Sequence, residues 1–354
     1  MPREQRPVAI VKLAAGDGSG AFYQWRTDDQ APDDFRLLSG RATLREGKDA
    51  SSLDIEVPDP RLELANSLPL PYKTSSKRIP IEAWFGFAPR LTKIFAGYYT
   101  GFRSSGLPGR ISLTAVDKSK GTRRVQKSRN LTSATPAQLI RTLAKEAELA
   151  VDLSAAPELE TVQFSGVLQM GETDAEVLTR VLEGAGYAWR TRGDTIVVQP
   201  LGATQTKRVE VRMGQNVANG FSIDVDELTR ATTPNVYDID GSVTYDDQGA
   251  GLDAEALERA TKLDRTGLTI ATEVSPSYSK QAEERALKAQ ARAKEVFKAS
   301  VPLTEAIPDV DVDHHAVLFG FGARFNGIWN ISEVEHDLKV GRTSLEIYNG
   351  GSSV

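Results

Sequence analysis

The sequence predicts a mainly β (α+β) protein with two related β-barrels, an inserted small α+β module and one long helix near the second barrel. Three observations lead to this prediction. Short apolar runs separated by Gly, Pro, Asp and Ser fill the first 117 residues and return after residue 204, as is typical of strands and turns. Two helix starts lie between residues 130 and 200. A short aromatic-glycine motif occurs twice, once in each β-rich region.

The first predicted domain covers residues 1–120. Strand-like runs within it are Val8–Ala14, Phe35–Leu44, Ser52–Val57, Ile79–Phe87, Lys93–Phe102 and Arg110–Val116. The segment from Asp59 to Ala65 predicts a short helix, with Asp59 as its cap and Pro60 in its first turn. Alternating strands and turns with little helix indicate that this domain is β-rich.

The second predicted domain, residues 130–200, is a compact α+β module. Thr135-Pro136-Ala137-Gln138 and Thr173-Asp174-Ala175-Glu176 are capping boxes, in which the first and fourth side chains satisfy backbone amides at a helix start. Apolar residues at helical spacing follow each box. The other residues predict one strand and a hairpin, at Thr161–Met170, Tyr187–Thr191 and Thr195–Gln199. A plain turn at Arg192-Gly193-Asp194 joins the two hairpin strands.

The third predicted domain, residues 201–354, combines β-structure with the longest predicted helix, residues 277–299. Ser275-Pro276 marks the start of this helix. Its apolar face, which ends at Phe297, is mostly alanine, and this permits close packing against a barrel or a neighbouring subunit. The interface candidates on this face are Tyr278, Ala282, Ala286, Ala289 and Ala293.

The repeated motif connects the first and third predicted domains. Phe85-Gly86-Phe87-Ala88-Pro89-Arg90 resembles Phe319-Gly320-Phe321-Gly322-Ala323-Arg324. Shortly downstream, Phe95-Ala96-Gly97-Tyr98-Tyr99 resembles Phe325-Asn326-Gly327-Ile328-Trp329, and a closing strand follows in each case. We therefore expect one barrel design to be used twice, with the second glycines on equivalent strands. The structural candidates from this motif are Phe95, Gly97, Gly327 and Trp329.

Composition excludes several kinds of site. The chain has no cysteine, so disulfides and thiolate metal sites are excluded. It has no apolar run of about 18 residues, so no membrane span is expected. The net charge of −5 argues against a general DNA-coating protein, although it permits a wall along which DNA slides. The basic cluster Lys118–Arg129 predicts a solvated connector or a protein contact, with an anionic partner as the alternative.

No group of residues points to an enzyme. Asp313-His314-His315 is the best metal candidate, but adjacent strand residues point to opposite faces, which favours polar residues at a strand end. Residues 16–20 are glycine-rich after a strand, yet a strand-like segment follows them rather than the helix that a phosphate loop needs. We expect no catalytic residue, no metal and no cofactor, and we expect His336 to be non-catalytic.

Four stretches occur in an order that is typical of one family. Ser52–Asp59 is similar to that family's early strand with an acidic turn, and Ile79–Gly101 to its F-x-G hairpin. Thr135–Gln199 is similar to its middle module, and Gly327–His336 to its C-terminal G-x-W-x-V-x-x-V-x-H segment. Together they resemble the phage late control gene D proteins, the hub proteins of contractile-tail baseplates.

The resemblance implies a structural subunit rather than an enzyme. Three chains, each with two tube-like barrels, would form a homotrimeric ring that adapts the sixfold tail tube to the trimeric spike. The implied partners are the tail tube protein, the spike protein, the tape-measure protein and other baseplate proteins, with DNA only in transit through the channel. Because no spike domain follows Val354, we expect the spike to be a separate chain. The implied location is the virion tail baseplate, assembled in the host cytoplasm.

Two other functions stay open from the sequence. A peptidoglycan-binding or peptidoglycan-cleaving tail protein is one, because a small α+β module also suits a wall-binding unit. A different tail adaptor or tube subunit is the other, and it would assemble as hexamers or polymers rather than trimers.

Overall fold

The structure is a computed structural model. It describes residues 6–15, 21–28, 32, 35–45, 47, 49–68, 78–105, 109–164, 166–185, 187–200, 207–225 and 297–349. Within these residues the chain is mainly β with a smaller α+β part, which confirms the predicted fold class. No helix formed by these residues is both long enough and apolar enough to cross a bilayer.

The N-terminal half contains seven strands. They are β1 (Val8–Ala14), β2 (Phe22–Arg26), β3 (Ser39–Arg45), β4 (Ser52–Pro58), β5 (Pro80–Phe87), β6 (Arg90–Ser105) and β7 (Arg110–Asp117). Their hydrogen-bonded order is β2-β1-β5-β6-β7-β4-β3, and all the pairs are antiparallel. In β4 the apolar side chains alternate with polar ones, so one face of the sheet is buried and the other is solvated.

The short helix α1 (Glu63–Ser67) begins three residues later than the sequence predicts. Asp59 does cap it, because its carboxylate accepts hydrogen bonds from Leu64 N at 3.0 Å and Ala65 N at 2.9 Å. Leu62 has a left-handed backbone with φ 59°, which interrupts any helix that starts at Pro60. The cap was therefore predicted correctly and the first turn was not.

The middle module contains three α-helices and five strands, besides a 3₁₀ helix at Pro157–Glu160. They are α2 (Lys120–Arg123), β8 (Lys127–Leu131), α3 (Pro136–Glu146), β9 (Ala150–Asp152), β10 (Val167–Glu172), α4 (Asp174–Gly184), β11 (Tyr187–Arg192) and β12 (Thr195–Pro200). Strands β8 and β10 form a ribbon, and a second sheet has the order β11-β12-β9. The predicted hairpin at Arg192-Gly193-Asp194 is confirmed.

Both capping boxes of the module are present. Thr135 Oγ1 accepts from Gln138 N, and Thr173 Oγ1 accepts from Glu176 N, each at 3.3 Å. The predicted strand Thr161–Met170 is wrong over its first half. Residues up to Phe164 form no strand, and Phe164 N donates to Ala134 O at 2.9 Å. The strand itself starts at Val167, where pairing with β8 begins.

The C-terminal half contains six described strands. They are β13 (Arg208–Arg212), β14 (Ser222–Val225), β15 (Phe297–Pro302), β16 (His315–Phe319), β17 (Gly327–Asp337) and β18 (Arg342–Asn349). Residues 277–296 of the predicted long helix lie outside the described residues, as do residues 16–20. The prediction is wrong for residues 297–299, which pair with β18 as part of β15.

The two halves share one strand order. Strands β1 and β3–β7 are arranged as β1-β5-β6-β7-β4-β3, and strands β13–β18 as β13-β16-β17-β18-β15-β14. If β1 is matched with β13 and β3–β7 with β14–β18, the two orders are identical. Gly97 in β6 and Gly327 in β17 therefore lie on equivalent strands, as the repeated motif predicts. The halves also differ, because β1 pairs with β5 in antiparallel fashion and β13 pairs with β16 in parallel.

The halves join where β3, the edge strand of the N-terminal half, pairs with the later residues of β17, with Ala42 opposite His336. The first residues of β17 pair with β16 instead. The resulting sheet has 13 strands, and its main path runs from β14 to β2. Among the described residues this path does not close on itself into a barrel. Three clusters of buried apolar side chains occupy the N-terminal half, the module and the C-terminal half. The first of them also includes Ala306 and Leu338 of the C-terminal half. Whether residues 1–120, 130–200 and 201–354 behave as domains stays a prediction.

Candidate functional site at the junction of the sheet and the module

The candidates from the first repeat lie inside the N-terminal half. Phe95 is buried in its core. Gly97 lies where β6 and β7 approach closely, since a Cβ added there would be 2.2 Å from Val116 O. Both residues therefore shape the strands and do not form a contact surface.

The candidates from the second repeat have a similar position. Trp329 is buried in the core of the C-terminal half, and its Nε1 donates to Phe325 O at 3.0 Å. Its ring lies 6.4 Å from that of Phe297. Gly327 has φ 131°, a conformation that side chains disfavour. The predicted interface residues Tyr278, Ala282, Ala286, Ala289 and Ala293 lie outside the described residues.

His336 lies where the two halves meet. Its side chain is fully buried, its Nδ1 is 3.1 Å from Thr343 Oγ1, and its ring is 5.5 Å from that of Phe85. Burial lowers the pKa of His336 to about 4, so the imidazole is neutral at physiological pH. A neutral buried ring packed on an aromatic side chain fits a structural role.

The segment Asp313-His314-His315 leads into β16. His314 Nδ1 accepts from Asp311 N at 3.1 Å, and Asp313 pairs with Arg190 of the module. His315 is the first residue of the strand. Among the described residues, no three His, Asp or Glu side chains converge in a way that could hold a metal ion. Asp313 and His314 therefore make structural contacts, with Arg190 of the module and with the preceding turn.

Arg190 is the centre of a buried ion cluster between the module and the C-terminal half. Its side chain is 4% exposed, and its guanidinium contacts the carboxylates of both Asp311 and Asp313. Arg192 adds a second contact to Asp311 at 3.2 Å. Burial alone would raise the pKa of Asp311, but the charge and hydrogen bond of Arg190, together with the charge of Arg192 and the amide of Val312, outweigh it, so this pKa is below its usual range. The cluster fixes hairpin β11–β12 onto the C-terminal half.

A cavity of about 360 Å³ lies beside this cluster. Its walls come from all three parts of the chain: Phe95 and Asp117 from the N-terminal half, Arg190 and Thr191 from the module, and Asp311 from the C-terminal half. Sequence reasoning missed this junction. The alternating acids at 309, 311 and 313 were a signal for it, but nothing local indicates that Arg190 is their partner.

Arg123 joins the module to the N-terminal half. Its Nη2 donates to Gly47 O at 2.8 Å and to Asp49 O at 3.0 Å, and its guanidinium lies 5.2 Å from the ring centroid of Trp189. Gly47 N in turn donates to Trp189 O at 2.9 Å. Burial lowers the pKa of Arg123, while Asp117 and Asp49 oppose that shift. The module is therefore fixed to both halves of the sheet.

Most charges of the basic cluster Lys118–Arg129 are paired with other groups of the same chain. Besides Arg123, Lys127 and Arg129 both contact Glu146 and Asp174 at 2.6–3.0 Å. The interpretation as a solvated connector is wrong for these residues. Their charges are balanced by the module's own carboxylates, so no anionic partner is needed to explain the cluster.

An acidic strip crosses the solvated face of the sheet where the halves join. It consists of Asp54 and Glu56 of β4, Glu333, Glu335 and Asp337 of β17, and Glu346 of β18. Strand β3 lies between β4 and β17 and pairs with both. Four arginines lie among them, at positions 41, 45, 110 and 342, so the strip keeps a net negative charge. Burial raises the pKa of Glu335, and the neighbouring carboxylates raise it further. The charge of Arg41 acts in the opposite direction but does not cancel the rise.

No protein-family model matches the chain, and no curated protein matches it in sequence. Solved structures do match it. A tail protein of a Shewanella oneidensis prophage has a TM-score of 0.58 at 13% identity and covers 98% of this chain and 97% of that chain. A Neisseria meningitidis tail protein has a TM-score of 0.59 at 14% identity, with the same coverage.

An Escherichia coli component of the type VI secretion system also matches, with a TM-score of 0.55 at 11% identity. The match covers 96% of this chain and 76% of that one, which is described as similar to tail proteins of bacteriophage T4. At such low identity, these likenesses establish the fold. The chain has the fold of phage tail and type VI secretion proteins.

Proposed function

We propose that the chain is a structural baseplate hub subunit of a contractile phage tail or a related injection machine. Three copies form a ring that adapts the sixfold tail tube to the trimeric spike. The observation that supports this most is the identical strand order of the two halves within a fold shared with tail proteins. Two equivalent halves per chain give six similar positions in a closed trimer, which matches the symmetry of a sixfold tube.

In this ring the acidic strip faces the channel. A basic lining would hold DNA through phosphate contacts, whereas an acidic wall repels the backbone and lets it slide. The strip spans the join between the halves through Glu333, Glu335 and Asp337 of β17. It is therefore the part of the solvated face that both halves of a chain present together.

The module lies on the outside of the proposed ring and contacts other baseplate proteins. Its ribbon presents Leu168 and Met170, which are 56% and 70% exposed. They are opposite Asn130 and Ser128, so this face of the ribbon carries apolar side chains without charges. Exposed apolar side chains on one face are typical of a protein contact. The tape-measure protein and the tail tube contact the sheet halves in this arrangement.

Native mass spectrometry of the full chain, alone and with spike and tube proteins, tests the ring. A trimer, formed alone or on addition of the partners, is the expected result. A chain that stays monomeric with both partners contradicts the proposal, and hexamers or open polymers identify a tube or adaptor subunit instead. Clearing of bacterial cell walls by the isolated chain in a zymogram identifies a peptidoglycan-cleaving protein.

A further inference from the structure

A side-chain amide occupies the outer edge of β13. Asn216 Nδ2 donates to Glu210 O at 2.8 Å, and Asn216 Oδ1 accepts from Arg212 N at 2.7 Å. Within a strand, residues two apart direct their backbone groups to the same side, and one residue of a parallel neighbour bonds such a C=O and N–H pair. The amide of Asn216 therefore makes the two hydrogen bonds that an adjacent strand would make.

The backbone pattern of β13 shows which side this is. His315 N donates to Lys207 O at 3.3 Å, and Met213 N donates to Phe319 O at 3.0 Å. The odd-numbered residues thus bond β16, and the even-numbered residues direct their groups away from it. Glu210 O and Arg212 N belong to the second set, so Asn216 covers the side of β13 that faces away from the sheet.

In the N-terminal half, a strand covers the corresponding edge. There β1 is the equivalent of β13, and β2 covers its outer side through five residue pairs, from Ile10 opposite Arg26 to Ala14 opposite Phe22. In the described part of the chain, β13 pairs with β16 alone. Among the described residues, one side chain thus covers the edge in the C-terminal half that a strand covers in the N-terminal half.

The main chain of Asn216 is anchored independently of its amide. Asn216 N donates to Arg212 O at 3.2 Å, and Thr304 N donates to Asn216 O at 2.9 Å. A substitution at this position therefore removes the amide and leaves the turn's backbone hydrogen bonds in place. This makes the edge accessible to experiment without removing the turn.

We propose that Asn216 is an edge cap that prevents β13 from pairing with a strand of a second copy of the chain. Unpaired strand edges are templates for association, and natural proteins block them with local features. The edge is prone to pairing because Val209 and Val211 give β13 the alternation of a stable strand, and Met213 at its end is 43% exposed. A cap of two hydrogen bonds on the outward groups removes this template.

Sedimentation velocity of Asn216→Ala over a range of concentrations tests the cap. The variant is expected to form species of at least twice the wild-type mass as its concentration rises, whatever the oligomeric state of the wild type. Asn216→Asp keeps the acceptor for Arg212 N and loses the donor to Glu210 O, so it should associate less than Asn216→Ala. If Asn216→Ala sediments like the wild type at every concentration, the proposal is wrong.

Two further variants separate edge pairing from unfolding. Asn326→Ala removes a comparable bond, from Phe321 N to Asn326 Oδ1 at 2.9 Å, in the turn that follows β16 on the other side of β13, and it should leave the mass unchanged. Adding Arg212→Pro to Asn216→Ala deletes an N–H that faces outward and should restore the wild-type mass. Association that persists in the double variant would mean that another surface is responsible. Because the wild type is the baseline, this test does not depend on the proposed trimer.

Discussion

Arg190 of the module and Asp313 of the C-terminal half form a buried ion pair across 123 residues of sequence. The same guanidinium contacts Asp311, so one buried cation pairs with two carboxylates. Removing one partner of a buried pair leaves uncompensated charge in a poorly solvated place, which costs more than the pair itself contributes. The position of the module therefore depends on this contact.

Substitution Arg190→Met is expected to destabilise the protein by about 3–5 kcal/mol, because Asp311 and Asp313 lose their main counter-charge. Urea unfolding at neutral pH measures the change. Arg192→Met is the matched control, since Arg192 is 62% exposed and its guanidinium contacts Asp311 at 3.2 Å. It should cost less than about 1 kcal/mol. Equal effects of the two variants would contradict the central role of Arg190.

The protein is expected to lose stability in mild acid because His336 is buried. Its pKa is lowered from 6.5 to about 4 by burial, so the unfolded chain binds a proton more readily than the folded one. The stabilisation that the neutral imidazole provides is fully present above pH 6.5, the pKa in the unfolded chain. It falls by about 3 kcal/mol in total as the pH drops from 6.5 towards 4. Unfolding free energies across this window should show the slope, and His336→Gln should reduce it. A slope that is unchanged in the variant would rule His336 out as its source.

Trp329 is expected to be a structural anchor. Cutting it to alanine should destabilise the protein by about 3–5 kcal/mol, because it empties the core around Phe297. Its neighbour Ile328 points the other way and is 45% exposed, so Ile328→Ala should change stability by less than about 1 kcal/mol. Thermal and chemical unfolding of both variants measure the difference. If the two variants lost similar amounts of stability, Trp329 would not be a structural anchor.

Two glycines of β6 provide a paired test of strand packing. A Cβ at Gly97 would lie 2.2 Å from Val116 O, whereas a Cβ at Gly101 would meet nothing within 4 Å. Gly97→Ala must push β6 and β7 apart and should cost about 3 kcal/mol or more. Gly101→Ala should be close to neutral or slightly stabilising. Chemical unfolding distinguishes them, and a neutral Gly97→Ala would mean that the strands are not this close.

Local sequence patterns determined much of the fold. The capping boxes at Thr135 and Thr173 are where the sequence places them, since each is complete within four residues. Alternation of apolar side chains located most strands for the same reason. The repeated motif also predicted that Gly97 and Gly327 lie on equivalent strands, because a duplicated strand order keeps traces of its sequence.

One error shows the limit of local patterns. Phe297 fits the apolar face of the predicted helix 277–299, and it also fits an alternating strand. Pairing with Asn349 at the other end of the C-terminal half decides in favour of the strand. Hydrogen bonds to a partner some fifty residues away outweigh a helical preference of a few tenths of a kcal/mol per residue.

The sequence by itself determined the β-rich class, the α+β module with its caps and the relation between the two halves. Only the tertiary structure decided that β3 pairs with β17, that Arg190 meets Asp311 and Asp313, and that Asn216 covers the edge of β13. The physical reason is the range of the interactions. Turns, caps and burial patterns arise among residues a few positions apart, whereas a join between strands or a buried ion pair depends on which distant segments the folded chain brings together.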